Sequence, residues 1–142
     1  MFDLQSGSVI LLQKNFIITP NTTKRFLEKY IISQIALKDE ICNDWTHYYC
    51  WLDIEEHSYV YAHIMFHGEH LESIGIFPQH QVATIPAPQP DTMELEEAQK
   101  LSFEWYRKFF NDEQQVFSWG EIKYYVGNDP IYSPPTVLIK FH

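Results

Sequence analysis

The chain has 142 residues, a length that suits one domain, and its 45% hydrophobic content is that of a globular protein rather than a disordered one. Lys and Arg total 10 against 19 Asp and Glu, so the net charge is −9. That balance opposes a grip on DNA, RNA or an anionic membrane and suits a basic partner. The start, Met1-Phe2-Asp3-Leu4-Gln5, carries no basic secretory region, and Val9–Leu12 is too short for its apolar core. No run reaches the length of a membrane span. A cytoplasmic protein is expected, with Cys42 and Cys50 reduced and serving as packing residues.

Taken in order, Ser8–Leu12 and Asn15–Ile18 predict a short hairpin or bent strand. Pro20 ends it, and Asn21 or Thr22 caps a first helix over Thr22–Gln34, with Phe26, Leu27, Tyr30, Ile31 and Ile35 as its stripe. Lys38–Asp44, polar and acidic, reads as a connection.

Three strands follow: Trp45–Ile54, Tyr59–His67 and Leu71–Phe77. The breaks between them are so short that they must run antiparallel. Alternation places Tyr48, Cys50, Leu52 and Ile54 on one face, and Trp45, His47, Tyr49 and Trp51 on the other. In the second strand Val60, Ala62, Ile64 and Phe66 oppose Tyr59, Tyr61, His63, Met65 and His67. In the third, Ile74 and Ile76 oppose Leu71, Ser73 and Phe77. One face should cover helices; the other, rich in Tyr, His and Trp, should be only half apolar.

Pro78, Pro86, Pro88 and Pro90 make Pro78–Pro90 a loop. A second helix is predicted over Thr92–Phe110, with a capping-box-like Asp91 and Glu94. Its core stripe is Leu95, Ala98, Leu101, Trp105 and Phe109, widened by Phe103, Tyr106 and Phe110. Val116–Val126 reads as one strand with a bulge at Gly120, and Thr136–Phe141 as a last strand placed at an edge by Pro134-Pro135. The resulting expectation is a single α+β domain over 1–142. It has one mainly antiparallel sheet of about five to seven strands with two helices packed on one face, in the order β(β)-α-βββ-α-ββ.

Reactive constellations are weak. His63 and His67 share a face but stand about 13 Å apart along a strand, too far for one zinc ion. A His67–His70 pair joined by His47 or His57 is the alternative metal grouping, and the expected metal set is none. No serine sits in a Gly-rich elbow, no phosphate loop is present, and Glu55 and Glu56 would project apart. The expectation is therefore a non-catalytic protein with no cofactor. The acidic groups point to binding instead. Asp39, Glu40 and Asp44 precede the first central strand, and Asp53, Glu55 and Glu56 end it beside Trp51, His57 and Tyr59. Carboxylates around aromatic anchors suit a basic protein partner. The candidate partner-binding set is Trp51, Asp53, Glu55, Glu56, His57, Tyr59 and Tyr61.

Several stretches together resemble the small bacterial immunity proteins encoded beside polymorphic or contact-dependent toxins. They are the Asn21-Thr22-Thr23 helix start, the aromatic strand Trp45–Ile54, and the hairpin from Phe66 through Gly68 to Ile74. Phe103-Glu104-Trp105-Tyr106, Phe117-Ser118-Trp119-Gly120 and the terminal Val137–Phe141 complete the pattern. The resemblance implies a cytoplasmic inhibitor that occludes the basic active site of one cognate toxin, often a nuclease, and it assigns no residue roles. The alternative is a structural or small-ligand-binding domain that uses the aromatic sheet face. An apolar cavity lined by Tyr48, Tyr61 or Trp51 would favour it; a filled core would not.

Overall fold

The computed structural model describes residues 2–11, 16–31, 35–55, 58–82, 94–110, 114–128 and 134–142. Their elements are β1 (Phe2–Asp3), β2 (Ser8–Leu11), β3 (Phe16–Ile18), α1 (Lys24–Ile31), β4 (Ile35–Ile41), β5 (Trp45–Glu55), β6 (Ser58–His67) and β7 (His70–Val82). They continue with α2 (Leu95–Phe109), β8 (Gln114–Phe117), β9 (Gly120–Tyr125) and β10 (Thr136–Phe141). The strands form two sheets where one was expected. A three-stranded sheet runs β1-β2-β3, and a seven-stranded sheet runs β4-β5-β6-β7-β10-β9-β8. Every pairing is antiparallel. No helix among the described residues is long and apolar enough to cross a membrane.

The three central strands and their two faces follow the alternation read from the sequence. Tyr48, Cys50, Leu52, Val60, Ala62, Ile64, Phe66, Ile74 and Ile76 are all fully enclosed on one face of the large sheet. Against that face lie Leu27 of α1, the small sheet, and Trp105, Tyr106 and Phe110 at the end of α2. The Phe2 ring of β1 meets Trp105, Phe109 and Phe110 at 5.3–5.7 Å between centroids, which ties the small sheet to α2. Burial of these large rings is the main driving term for this layer.

Several boundaries differ from the sequence reading, each for a local reason. Residues 38–41 are strand, not connection: β4 is an edge, and an edge tolerates Lys38, Asp39 and Glu40 because their side chains reach solvent. β7 runs on through Pro78 to Val82, where a loop was expected. The β6–β7 register shifts between Tyr59 and Tyr61, so the proline's missing donor falls in an irregular stretch. The remainder of the expected loop, 83–90, lies outside the described residues. Leu71 joins the core instead of sharing a face with Ser73: Phe66 pairs with Leu71 and Met65 with Ser73, so Glu72 is the extra residue of a bulge.

Helix α1 begins at Lys24, later than predicted, and its cap is Thr23, whose Oγ1 accepts the Phe26 amide at 3.3 Å; residues 32–34 of the predicted helix lie outside the described residues. Helix α2 starts at Leu95; Glu94 occupies the cap position without a side-chain cap bond, and Asp91 lies outside the described residues. Its buried line is Ser102, Trp105 and Tyr106, which leaves Phe103 44% exposed. The 116–126 stretch is two strands, β8 and β9, joined at Ser118-Trp119. Gly120 lies where the backbone of β10 passes so close that a Cβ would sit 2.0 Å from the Lys140 carbonyl oxygen. β10 is central, between β7 and β9, because Pro134-Pro135 ends before the ladder begins and removes no donor from it. Cys50 is buried as expected, but Cys42 is exposed in the turn after β4.

Candidate binding face of the large sheet

The second face of the large sheet is where the chain leaves polar and aromatic groups half-covered. Register fixes their rows. Trp51, Tyr61 and Phe77 stand side by side; Tyr49, His63, Gly75 and Leu138 form the next row; His47, Met65, Ser73 and Lys140 the one after. Tyr49 stacks on His63 at 4.4 Å with an 11° tilt, and Trp45 stacks on His67 at 4.7 Å. Trp51 and Tyr61 approach at 5.1 Å. These cross-strand ring pairs are the unit of stabilisation on an antiparallel sheet.

At the centre, His63 Nε2 and His47 Nδ1 are 2.7 Å apart, so one ring nitrogen donates and the other accepts. Burial, reinforced by the His47 ring, pulls His63 down to about 4, so it is neutral at physiological pH. Burial also pushes the Tyr61 phenol up to about 12, and raises Tyr49, with the Asp39 carboxylate adding to the second. On the other face, burial raises the Cys50 thiol to about 12, which makes it a poor nucleophile.

Of the seven residues proposed from sequence, two are enclosed. Trp51 is fully buried and Asp53 is 2% exposed, so neither offers its side chain at the surface. Tyr61 is half-buried in the ring row. Glu55 and Tyr59 take their places in β5 and β6, while Glu56 and His57 lie outside the described residues. Alternation tells which face a side chain takes, not whether that stretch of the face is covered, and this is why Trp51 and Asp53 were read as available.

The exposed combination of acid and apolar surface lies instead at the edge, on β4. Leu37 is 54% exposed and Ile41 43%, and Asp39 stands between them. All three share the second face with Trp45, His47 and Tyr49, their partners in register. Asp44 follows in an exposed turn, in a positive-φ conformation that Asp tolerates. Lys38 and Glu40 point to the opposite face, where Lys38 Nζ binds Glu28 at 2.7 Å and Glu40 at 3.2 Å. Tyr48 donates to the same Glu28, which anchors α1 to the edge of the sheet. The Lys38 bond, then the Tyr48 bond, holds the Glu28 carboxyl below its usual range. Lys38 is thus committed on the far face and leaves Asp39 and Asp44 as the charges at the β4 end of the near one. The signal for this edge was the alternation Leu37-Lys38-Asp39-Glu40-Ile41, masked by its three charged residues.

Toward the other end of the same face lies an open groove of ≈ 530 Å³ across β6, β7 and β10. His63, Met65, Ser73, Gly75 and Phe77 form one side of it. Thr136, Leu138, Pro134, Tyr125 at the end of β9 and the three residues after it form the other. Trp51, Tyr61 and Tyr48, the residues that a small-ligand cavity was expected to use, are not among its walls. Ser73 is 4% exposed, and its Oγ has no hydrogen-bond partner among the described residues.

Among the described residues the histidines meet at most in pairs. His67 stacks on Trp45, His47 turns to His63, and His70 Nε2 lies 3.8 Å from Glu72. Among the described residues no group of three or more His, Cys, Asp or Glu converges. Comparison of the chain with protein-family models, with curated proteins and with solved structures finds no match.

Proposed function

We propose that this is a non-catalytic binding protein that engages a basic protein partner, in the manner of an immunity protein blocking the basic active site of a cognate toxin. The observation that supports it most is the β4 edge: exposed Leu37 and Ile41 bracket Asp39, next to Trp45, His47 and Tyr49 and ahead of Asp44. Apolar side chains supply an anchor that a partner can desolvate, and the flanking carboxylates steer a cationic surface toward it. The chain's net charge of −9 extends that steering to longer range. β4 is also one of the two edge strands of the large sheet among the described residues, the other being β8, and an edge can add a partner strand. The cytoplasm is the compartment this role requires.

The test is whether a toxin-like protein encoded beside this chain binds it directly, followed by stopped-flow at several salt concentrations. Association should slow as salt rises, and Leu37→Asp with Ile41→Asp should weaken the complex by about 2 kcal/mol or more. A complex whose on-rate ignores salt and whose affinity survives the double substitution would remove this reading.

A further inference from the structure

The groove on the second face is independent of the β4 edge, and its construction carries a separate conclusion. Gly75 sits in the middle of β7, paired with His63 on one side and Leu138 on the other. Glycine weakens a central strand, so it is informative where nothing in the backbone demands it. Nothing does here. Its φ is not positive, and a Cβ would meet only the Thr136 methyl at 3.4 Å, followed by His63 atoms at 3.8 Å and beyond. Gly120 is the contrast, since there a Cβ would strike backbone. The effect of glycine at 75 is therefore to leave space above the strand, and that space is the floor of the groove.

Its polar content is spare. Ser73 Oγ is buried and without a protein partner among the described residues, a state that is unfavourable unless something else supplies the bond. Thr136 Oγ1 is already donated to the Pro134 carbonyl at 2.7 Å. The described walls include no Asp, Glu, Lys or Arg. His63 is neutral and already engaged with His47. Met65, Phe77, Val126 and Leu138 supply apolar surface. Lys140, beside Ser73 in register, is exposed and is not one of the walls, so a charged ligand in the groove would meet no counter-charge on its lining. The volume falls within the range of small-molecule sites.

We infer that the groove binds an uncharged small molecule with a mainly apolar body of aromatic size and one hydrogen-bonding oxygen, which Ser73 Oγ receives and the bare backbone at Gly75 admits.

The probe is the full chain labelled at the methionine methyl groups with carbon-13 and titrated with p-cresol and 4-ethylphenol. The Met65 signal, assigned through Met65→Leu, reports the groove. It should shift and saturate, while 4-methylbenzoate binds about tenfold or more weakly. Ser73→Ala should weaken the phenols about three- to tenfold and leave toluene unaffected. Gly75→Leu should abolish the shift; if that variant does not fold, Leu138→Trp fills the same space from β10. Absence of a saturable Met65 shift with either phenol, tighter binding of the benzoate, or an undiminished shift in the filled groove would each overturn the inference.

Discussion

The two faces of the large sheet are made from the same strands, one residue in two, yet they serve unlike ends. On the first, Tyr48, Leu52, Ile64, Phe66 and Ile74 are sealed under α1, α2 and the small sheet. On the second, Tyr49, His63 and Met65 are only half-covered, a groove is open, and Leu37 and Ile41 reach solvent at the edge. The first face maximises buried apolar area. The second forgoes some of that area and leaves rings, imidazoles and a carboxylate partly open. Strand alternation thus separates sealed positions from open ones, so adjacent residues should respond unequally to substitution.

The largest expected effect tests that segregation at one step along β6. Phe66→Ala should cost about 3–5 kcal/mol in urea unfolding, since the ring is fully enclosed beside Leu71 and Tyr48. Met65→Ala, its neighbour on the other face, should cost about 1 kcal/mol. Equal losses would erase the distinction between the faces.

Two glycines sharpen it next. Gly120→Ala should destabilise by about 1–3 kcal/mol, because the new methyl would meet the backbone of β10. Gly75→Ala should stay within about 1 kcal/mol of the parent and fall on the stabilising side where the unfolded chain's lost freedom dominates. Paired thermal melts decide the matter.

A pH series comes third. Burial depresses His63 from 6.5 to about 4 in the folded protein. Between those values the unfolded chain binds a proton that the folded chain refuses, so stability falls as pH drops from 6.5 toward 4 and this contribution levels off below. His63→Gln should flatten that part of the curve relative to the parent, as read from urea midpoints at matched pH. Parallel curves would show that His63 is not the group responsible.

The smallest effect belongs to the first face's rim. Glu28→Gln removes the charge shared by Lys38 and Tyr48, but both partners of the ion pair are about one-third exposed. The loss should be at most about 1 kcal/mol and shrink in high salt.

Much of this architecture was legible in the residues. The period-two alternation of β5 and β6 set both faces, and the paired hydrophobic runs at the start of the chain announced β2 and β3. What escaped was governed by coverage and register, which no local pattern encodes. Charged Lys38-Asp39-Glu40 looked like a connection because sequence does not reveal that a strand will end up at an edge. A bulge at Glu72 moved Leu71 across the sheet. Prolines 134 and 135 suggested an edge for β10 although they precede its ladder. The candidate site suffered most for the same reason: Asp53 and Trp51 share a face with exposed groups but are enclosed, whereas Leu37, Asp39 and Ile41 are open.

The most direct test of the central claim is amide chemical-shift mapping of the chain bound to the basic partner proposed for it. The account predicts that the largest perturbations cluster on β4 and β5, at Leu37, Asp39, Ile41, Asp44, Trp45 and Tyr49. Perturbations confined to the outer surface of α2, with β4 unmoved, would contradict it.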